Sequence, residues 1–276
     1  MHKGGSMNNR IFVSSDIEGT CGIAHWDETI LNKPDYAQFR EQMTREVAAA
    51  CEGAFQGGAE DVLIKDAHDT ARNILPEQLP RNVHIFRGWG SEIHSMLSGI
   101  DASFAGCIFT GYHSSSNTDS SPLCHTMNTH NVSIRINGLQ ASEMLINTYA
   151  AAMYDVPVLM VTGDLGVCEQ ARELIPAVHI VPVNRGRGNG SISMHPLEAV
   201  ERIREEARSA VEEGLKSPEK FSIQMPSHFD TEVEYVKHFA ARKASFYPGV
   251  RQTGPRTVRF SSDSYFDILR FFMFCL

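Results

Sequence analysis

Asp16 and Glu18 flank a single isoleucine directly after the apolar run 11–15, IFVSS. Two other apolar runs end alike: 62–66 (VLIKD) leads through Asp66 to His68, and 107–112 (CIFTGY) leads into His113. Carboxylate oxygen with imidazole nitrogen suits zinc or a similar divalent ion. Residues i and i+2 of an extended segment face one side, so Asp16 projects with Glu18, and Asp66 with His68. Two carboxylates and two imidazoles exceed what one tetrahedral ion with an open position takes, which points to a two-metal site. One acid of the first pair could bridge the ions while the other binds one of them. The competing account of each residue alone is plainer: a helix-capping Asp, a solvated Glu, a surface histidine. The repetition over three strand ends favours the metal.

Further groups gather around this set. Asp66 could orient His68 as an adjacent acid. His125 lies in 122–130, PLCHTMNTH, outside any regular pattern. A loop-borne histidine suits proton transfer; His130, five residues on, reads as structural. Glu143 opens a helical stretch at 141–155 and could reach back over the strand ends, or could merely complement the helix dipole. His25-Trp26-Asp27-Glu28 reads as a rim loop with Trp26 near substrate. His84, His94, His179, His228 and His238 have no clustered partners in the pattern.

Strand ends meet at one place only if the strands are parallel and adjacent, and the sequence supplies the alternation that requires. Between the first two strands, Phe39, Met43, Val47, Cys51 and Phe55 recur every four residues, and Gly57-Gly58 closes the helix they define. Such a β–helix–β unit is a right-handed parallel crossover. The run 83–88 is read as a third strand, 91–100 as a short helix, 132–138 as a half-exposed edge or hairpin strand, and 156–164 as a buried strand ending in Asp164. The expected fold is α/β: a Rossmann-like, doubly wound, mostly parallel sheet over 7–165, with a smaller C-terminal α+β subdomain over 166–276. In that second part 178–184 is strand-like, 185–191 (RGRGNGS) a flexible basic loop, and 195–216 a charged amphipathic helix. Three strands then follow in FSIQMPSHF, TEVEYVKHF and RTVRFSS, and a closing apolar helix.

Composition narrows the function. The chain has 276 residues, 42% of them hydrophobic, and a net charge of -8. No basic stripe suggests nucleic acid, and no apolar run reaches the ~18 residues of a membrane span. The opening MHKGGS before Met7 reads as a tag remnant, and no signal peptide is evident, so a cytoplasmic protein is expected. The six scattered cysteines, Cys107 and Cys124 among them, read as reduced thiols. The turn DIEGTCG lacks the G-x-G-x-x-G spacing and sets carboxylates where a pyrophosphate would be repelled, which argues against dinucleotide binding.

Over nearly all of 10–275 the chain resembles the DppA-type zinc D-aminopeptidase family. The resemblance rests on SSDIEGTCGI, KDAHDT with Asn73, FTGYHS, the histidine of CHTMNT, INGLQASEMLIN, YDVPVLMVTGD, ELIP and YPGVRQTGPRTVRF. It implies two zinc ions per subunit, with Asp16 bridging, Glu18 and His68 on one ion, and His113 and Glu143 on the other. It places the catalytic histidine at His125 and implies a ring-like homodecamer enclosing its active sites. The implied reaction is hydrolysis of short peptides by a metal-activated water, releasing an N-terminal D-amino acid such as D-Ala. The family's histidine is described as a nucleophile; with an activated water at hand, an acid/base role is the physically simpler one. The segment GLQASEM and the loop SSSNTDSSPLC depart from the best-known members, and both bear on substrate choice. An amidase or L-peptide aminopeptidase on the same scaffold, or a non-enzymatic metal-binding assembly protein, are the alternatives.

Overall fold

The computed structural model describes residues 9–276; the opening MHKGGS and Met7 lie outside them. The first strand, β1 (Arg10–Ser15), is followed by α1 (Tyr36–Gln56), then β2 (Asp61–Asp66) and β3 (Val83–Phe86). The chain returns across β1 as β4 (Phe104–Tyr112), makes the hairpin β5 (Asn131–Ile136) and β6 (Leu139–Gln140), and enters α2 (Glu143–Ala152). Next come β7 (Val158–Asp164), α3 (Leu165–Leu174), β8 (His179–Arg187), β9 (Gly190–Ser193) and α4 (Pro196–Lys216). The last elements are β10 (Phe229–Tyr235), α5 (His238–Ala244), β11 (Arg251–Gln252), β12 (Thr257–Ser262) and α6 (Tyr265–Cys275).

These form two sheets, one ordered β3-β2-β1-β4-β7-β8-β9 and the other β11-β12-β10-β5-β6. The first is parallel from β3 to β8, and β9 closes it as an antiparallel hairpin on β8. β7 is buried along its whole length and β4 nearly so, as strands covered on both faces must be. α1 and α4 lie close: a Cβ at Gly53 would fall 2.2 Å from the Arg204 carbonyl oxygen, and one at Gly57 2.5 Å from that of Arg208. The second sheet is antiparallel, and β10 alternates buried with less buried residues. It is joined to α2 by aromatic packing: Tyr149 meets Phe229 at 5.8 Å and Tyr265 at 5.4 Å. The Tyr265 hydroxyl also donates to the Ile146 carbonyl, 2.9 Å. α2 carries Glu143, so this packing braces the site.

The mixed α/β class with a mostly parallel sheet is as expected, but the chain does not divide between the sheets at residue 165. β5 and β6, from the earlier half, pair into the antiparallel sheet because β10 is the partner of β5. β8 and β9, from the later half, extend the parallel one. The expected helix at 91–100 is a single 3-10 turn, Ser95–Leu97, since Ser91 (φ 54°) and Ser95 (φ 47°) are left-handed and interrupt a helix. RGRGNGS is not a loose loop but the end of β8 and its hairpin, with Arg187 opposite Gly190 and Gly188 left-handed in the turn. FSIQMPSHF is irregular as far as Phe229, and Pro226 has no amide hydrogen for a ladder. Among the described residues no helix is long and apolar enough to cross a membrane.

Candidate metal centre

In the larger sheet, successive connections from β1 lead outward to β2 and β3, then back to β4 on the opposite flank. That reversal is where open α/β sheets bind ligands, beyond the carboxyl ends of their strands. Asp16 is the residue after β1, His68 the second after β2, and His113 the first after β4. Glycines let these ends converge. A Cβ at Gly19 or at Gly163 would lie 1.8 Å from the Tyr112 carbonyl oxygen, and one at Gly111 2.2 Å from that of Asp16. The β1–β4 ladder then continues past the strand, through Asp16 N–H to Thr110 O (2.9 Å) and Gly19 N–H to Gly111 O (2.8 Å).

The six residues singled out in the sequence come together. His68 Nδ1 lies 3.0 Å from Glu18 Oε2 and 3.3 Å from Asp16 Oδ1. His113 Nε2 lies 3.4 Å from both Asp16 Oδ2 and Glu143 Oε2. His125 Nε2 is 3.8 Å from Glu18 and 3.7 Å from Glu143. Asp16 thus turns one oxygen to each side, and belongs to two ligand groups: Asp16–Glu18–His68 and Asp16–His113–Glu143. A third group, Glu18–His113–His125, overlaps both.

Each imidazole has its other nitrogen on a main-chain carbonyl. His68 Nε2 donates to Thr29 O (2.9 Å), His113 Nδ1 to Ser114 O (2.9 Å) and His125 Nδ1 to Leu123 O (2.9 Å). This fixes the rings and turns the remaining nitrogens, as lone pairs, towards the carboxylates. Lone pairs facing carboxylates repel unless a cation lies between them. Glu18 Oε2 and His113 Nε2 are buried and make no hydrogen bond, a cost that bound metal would remove. The donor set therefore fits a pair of divalent ions.

Without metal, protons serve as the cation. Burial disfavours the charged ring of His68, but the carboxylates of Glu18 and Asp16 beside its Nδ1 outweigh it, and its pKa rises well above 6.5. His113 rises likewise, since Glu143 and Asp16 outweigh its burial. Burial would also push the Asp16 carboxyl up, yet the His113 and His68 rings, one against each of its oxygens, hold it at about 2. Glu143 is held at about 2 chiefly by His113, against the same desolvation.

Neighbouring residues shape the surroundings. Asp66 is not among the ligand groups. Its Oδ2 accepts from the amides of Asn73 (2.6 Å) and Ile74 (2.8 Å), and its Oδ1 from Asn73 Nδ2 (2.8 Å). Asn73 Nδ2 in turn holds the His68 carbonyl at 2.8 Å, so the acid fixes the loop rather than the ring. Asp164 caps α3 and accepts from Ser114. His130 is exposed and outside the cluster. The ring of His125 stacks on His113 (centroids 4.1 Å apart, 9° between planes), and Trp26 meets it edge-on at 5.1 Å. A cavity of about 600 Å³ opens over the cluster, with Trp26, Asp69, Trp89 and Met127 in its walls. Fully buried Lys65 supports that wall: its Nζ donates to Gly88 O (2.7 Å) and lies 4.2 Å over the Trp89 ring. Sequence reasoning missed the Met127 amide, which donates to Glu143 Oε1 (2.6 Å), and the Thr29 carbonyl. Backbone partners carry no residue signature.

The D-aminopeptidase family profile, peptidase family M55, matches residues 9–274. A D-aminopeptidase of Bacillus subtilis (strain 168) is 30% identical over 258 residues, covering 92% of this chain and 91% of the relative. A solved structure, the Zn-dependent D-aminopeptidase DppA from Bacillus subtilis, described as a self-compartmentalizing protease, superposes with a TM-score of 0.85. It is 27% identical, over 96% of this chain and 95% of that one. On the profile match and this relative, the chain belongs to the D-aminopeptidase family.

Proposed function

We propose that the protein is a di-zinc aminopeptidase that releases an N-terminal D-amino acid, such as D-Ala, from short peptides. The observation that carries this reading is the position of Asp16, one carboxylate common to two ligand groups. In it, Glu18 and His68 would hold one ion, His113 and Glu143 the other, and Asp16 would be shared by both. Bound zinc would supply Lewis acidity for the scissile carbonyl and for a water.

The chain's own groups do the rest. His125 keeps its Nδ1 hydrogen on Leu123 O, which leaves Nε2 to receive a proton from the attacking water and return it to the departing amine. Stacking on His113 and the edge of Trp26 hold its ring in place for both transfers. Both Trp26 and Trp89 line the cavity. The protein would act in the cytoplasm as a homo-oligomer, a decamer in this reading. Support for association comes from the relative's self-compartmentalizing character and from exposed Phe239, Phe246 and Phe274, at 60%, 73% and 65%.

The test is amino-acid release from D-Ala-D-Ala and L-Ala-L-Ala by zinc-loaded protein, with and without chelator, beside a zinc count per subunit. Chelator-sensitive release from the D-peptide, with two zinc ions, is expected. Release from the L-peptide alone rejects the stereochemistry, and one ion per subunit rejects the bridged pair.

A further inference from the structure

A second cavity, about 290 Å³, adjoins the one over the metal cluster, and the two share Trp89, Ser95, Met127 and Asn128 in their walls. Beyond that wall Ile93, Ile146 and, from α6, Leu269, Phe272 and Met273 give it a mostly apolar surface, with Ser91, Ser98 and Asn147 between them. Met127 stands at the junction. It is a non-glycine residue in the left-handed region, φ 65°, two positions from His125, and its amide is bound to Glu143. Backbone strain of this kind persists where the surroundings enforce it and is frequent at ligand sites. A methionine there is a flexible, polarizable divider.

We propose that this annex is the subsite for an apolar side chain on the residue immediately after the scissile bond, so that short peptides with leucine-like or phenylalanine-like second residues are preferred. The inference rests on the peptidase reading and adds a substrate class to it. Charge decides which end of the peptide lies where. The large cavity has one wall carboxylate outside the six clustered residues, Asp69, and among the described residues no ion pair engages it. An N-terminal ammonium belongs on that side. In the annex the carboxylate is Glu92, which lies 3.5 Å from His94. A recess with a mostly carbon surface suits a neutral side chain, and Ser95 on the shared wall offers a hydroxyl to the peptide backbone.

The test uses inert reduced-amide analogues, with CH2–NH in place of the scissile CO–NH, of D-Ala-D-Leu and D-Ala-D-Ala. Binding to zinc-loaded protein is followed by tryptophan fluorescence, since the two tryptophans of the chain both line the large cavity. The leucine analogue should bind about tenfold or more tightly, from the added apolar contact. Met273→Lys places a charge at the annex from a side that is 45% exposed, and should bring the two affinities within about twofold. A matching unfolding midpoint shows that this variant folds. Equal affinities in the unmodified protein, or a leucine preference that Met273→Lys leaves intact, would overturn the proposal. Tight, leucine-selective binding without hydrolysis of the parent peptides would support the annex and sink the peptidase reading.

Discussion

The two sheets of this molecule treat charge in opposite ways. On β10 and β12 acids and bases point outward: Glu232 pairs with Arg259 directly across the ladder (2.7 Å), and Glu234 with Arg256 just before β12 (2.5 Å), both in contact with solvent. At the edge of the parallel sheet, Asp16, Glu18 and Glu143 are each 3% exposed, His113 1% and His68 8%. Exposed pairs contribute little because water screens them and ordering the side chains costs entropy. Buried charges are costly unless matched, and removing one partner strands the other. A fold that keeps three carboxylates dry beside a few imidazoles has given up stability there, and bound cations are what returns it. Charge that decorates a surface and charge that builds a site are thus distinguished by burial rather than by residue type.

Asp16→Ala should produce the largest contrast. It removes the carboxylate common to both ligand groups, so both ions and at least about a thousandfold of activity should be lost. Zinc content by elemental analysis beside D-Ala release checks this, and retention of both ions would refute the bridge. His125→Ala comes next: turnover should fall about 10²- to 10⁴-fold while zinc content stays that of the parent. Zinc lost with the activity would make His125 a ligand.

Acidity supplies a subtler contrast. In metal-free protein His68 and His113 are raised above 6.5, so their contribution to stability is complete below that pH and is lost as pH rises through the raised values. Asp16 and Glu143, held at about 2, contribute above their ordinary 3.8 and 4.5 and lose that only as pH falls towards 2. The metal-free unfolding midpoint should therefore decline on the alkaline side. Zinc requires the neutral rings, so its affinity should climb over the same range. Calorimetric melts with and without zinc check both slopes, and parallel slopes would contradict the linkage. The smallest effect is expected in the other sheet. Glu232→Gln should leave the urea midpoint unchanged within error, and a large shift would erase the distinction drawn between the sheets.

The parallel sheet and its site were legible in the sequence to the extent that side chains specify them. Apolar runs of strand length ending in Asp, Glu or His marked Asp16, Glu18, His68 and His113, because a buried strand ending in a metal-binding group is uncommon by composition alone. Glu143 and His125 were harder: the first also reads as a helix-dipole partner, and the second lies in no periodic element. Asp66 shows where pattern misleads, since its spacing from His68 matches that of Asp16 and Glu18 while its carboxylate is spent on Asn73 and Ile74. The antiparallel sheet was less legible. Its pairing of β5 with β10 spans about a hundred residues, a tertiary choice that local alternation cannot announce. The run at 91–100 has a helix's composition, yet left-handed serines override it.

The acceptors that orient the three imidazoles are the carbonyls of Thr29, Ser114 and Leu123. A carbonyl of the peptide unit is present whatever side chain the codon specifies, so single substitutions at these positions cannot delete it. Insertions and deletions can, by shifting the loop that presents it. The orienting role is therefore indifferent to spelling and sensitive to spacing: Thr29, Ser114 and Leu123 are constrained in identity by their own burial, while the short intervals 113–114 and 123–125 cannot lengthen without turning a ring away from its carbonyl.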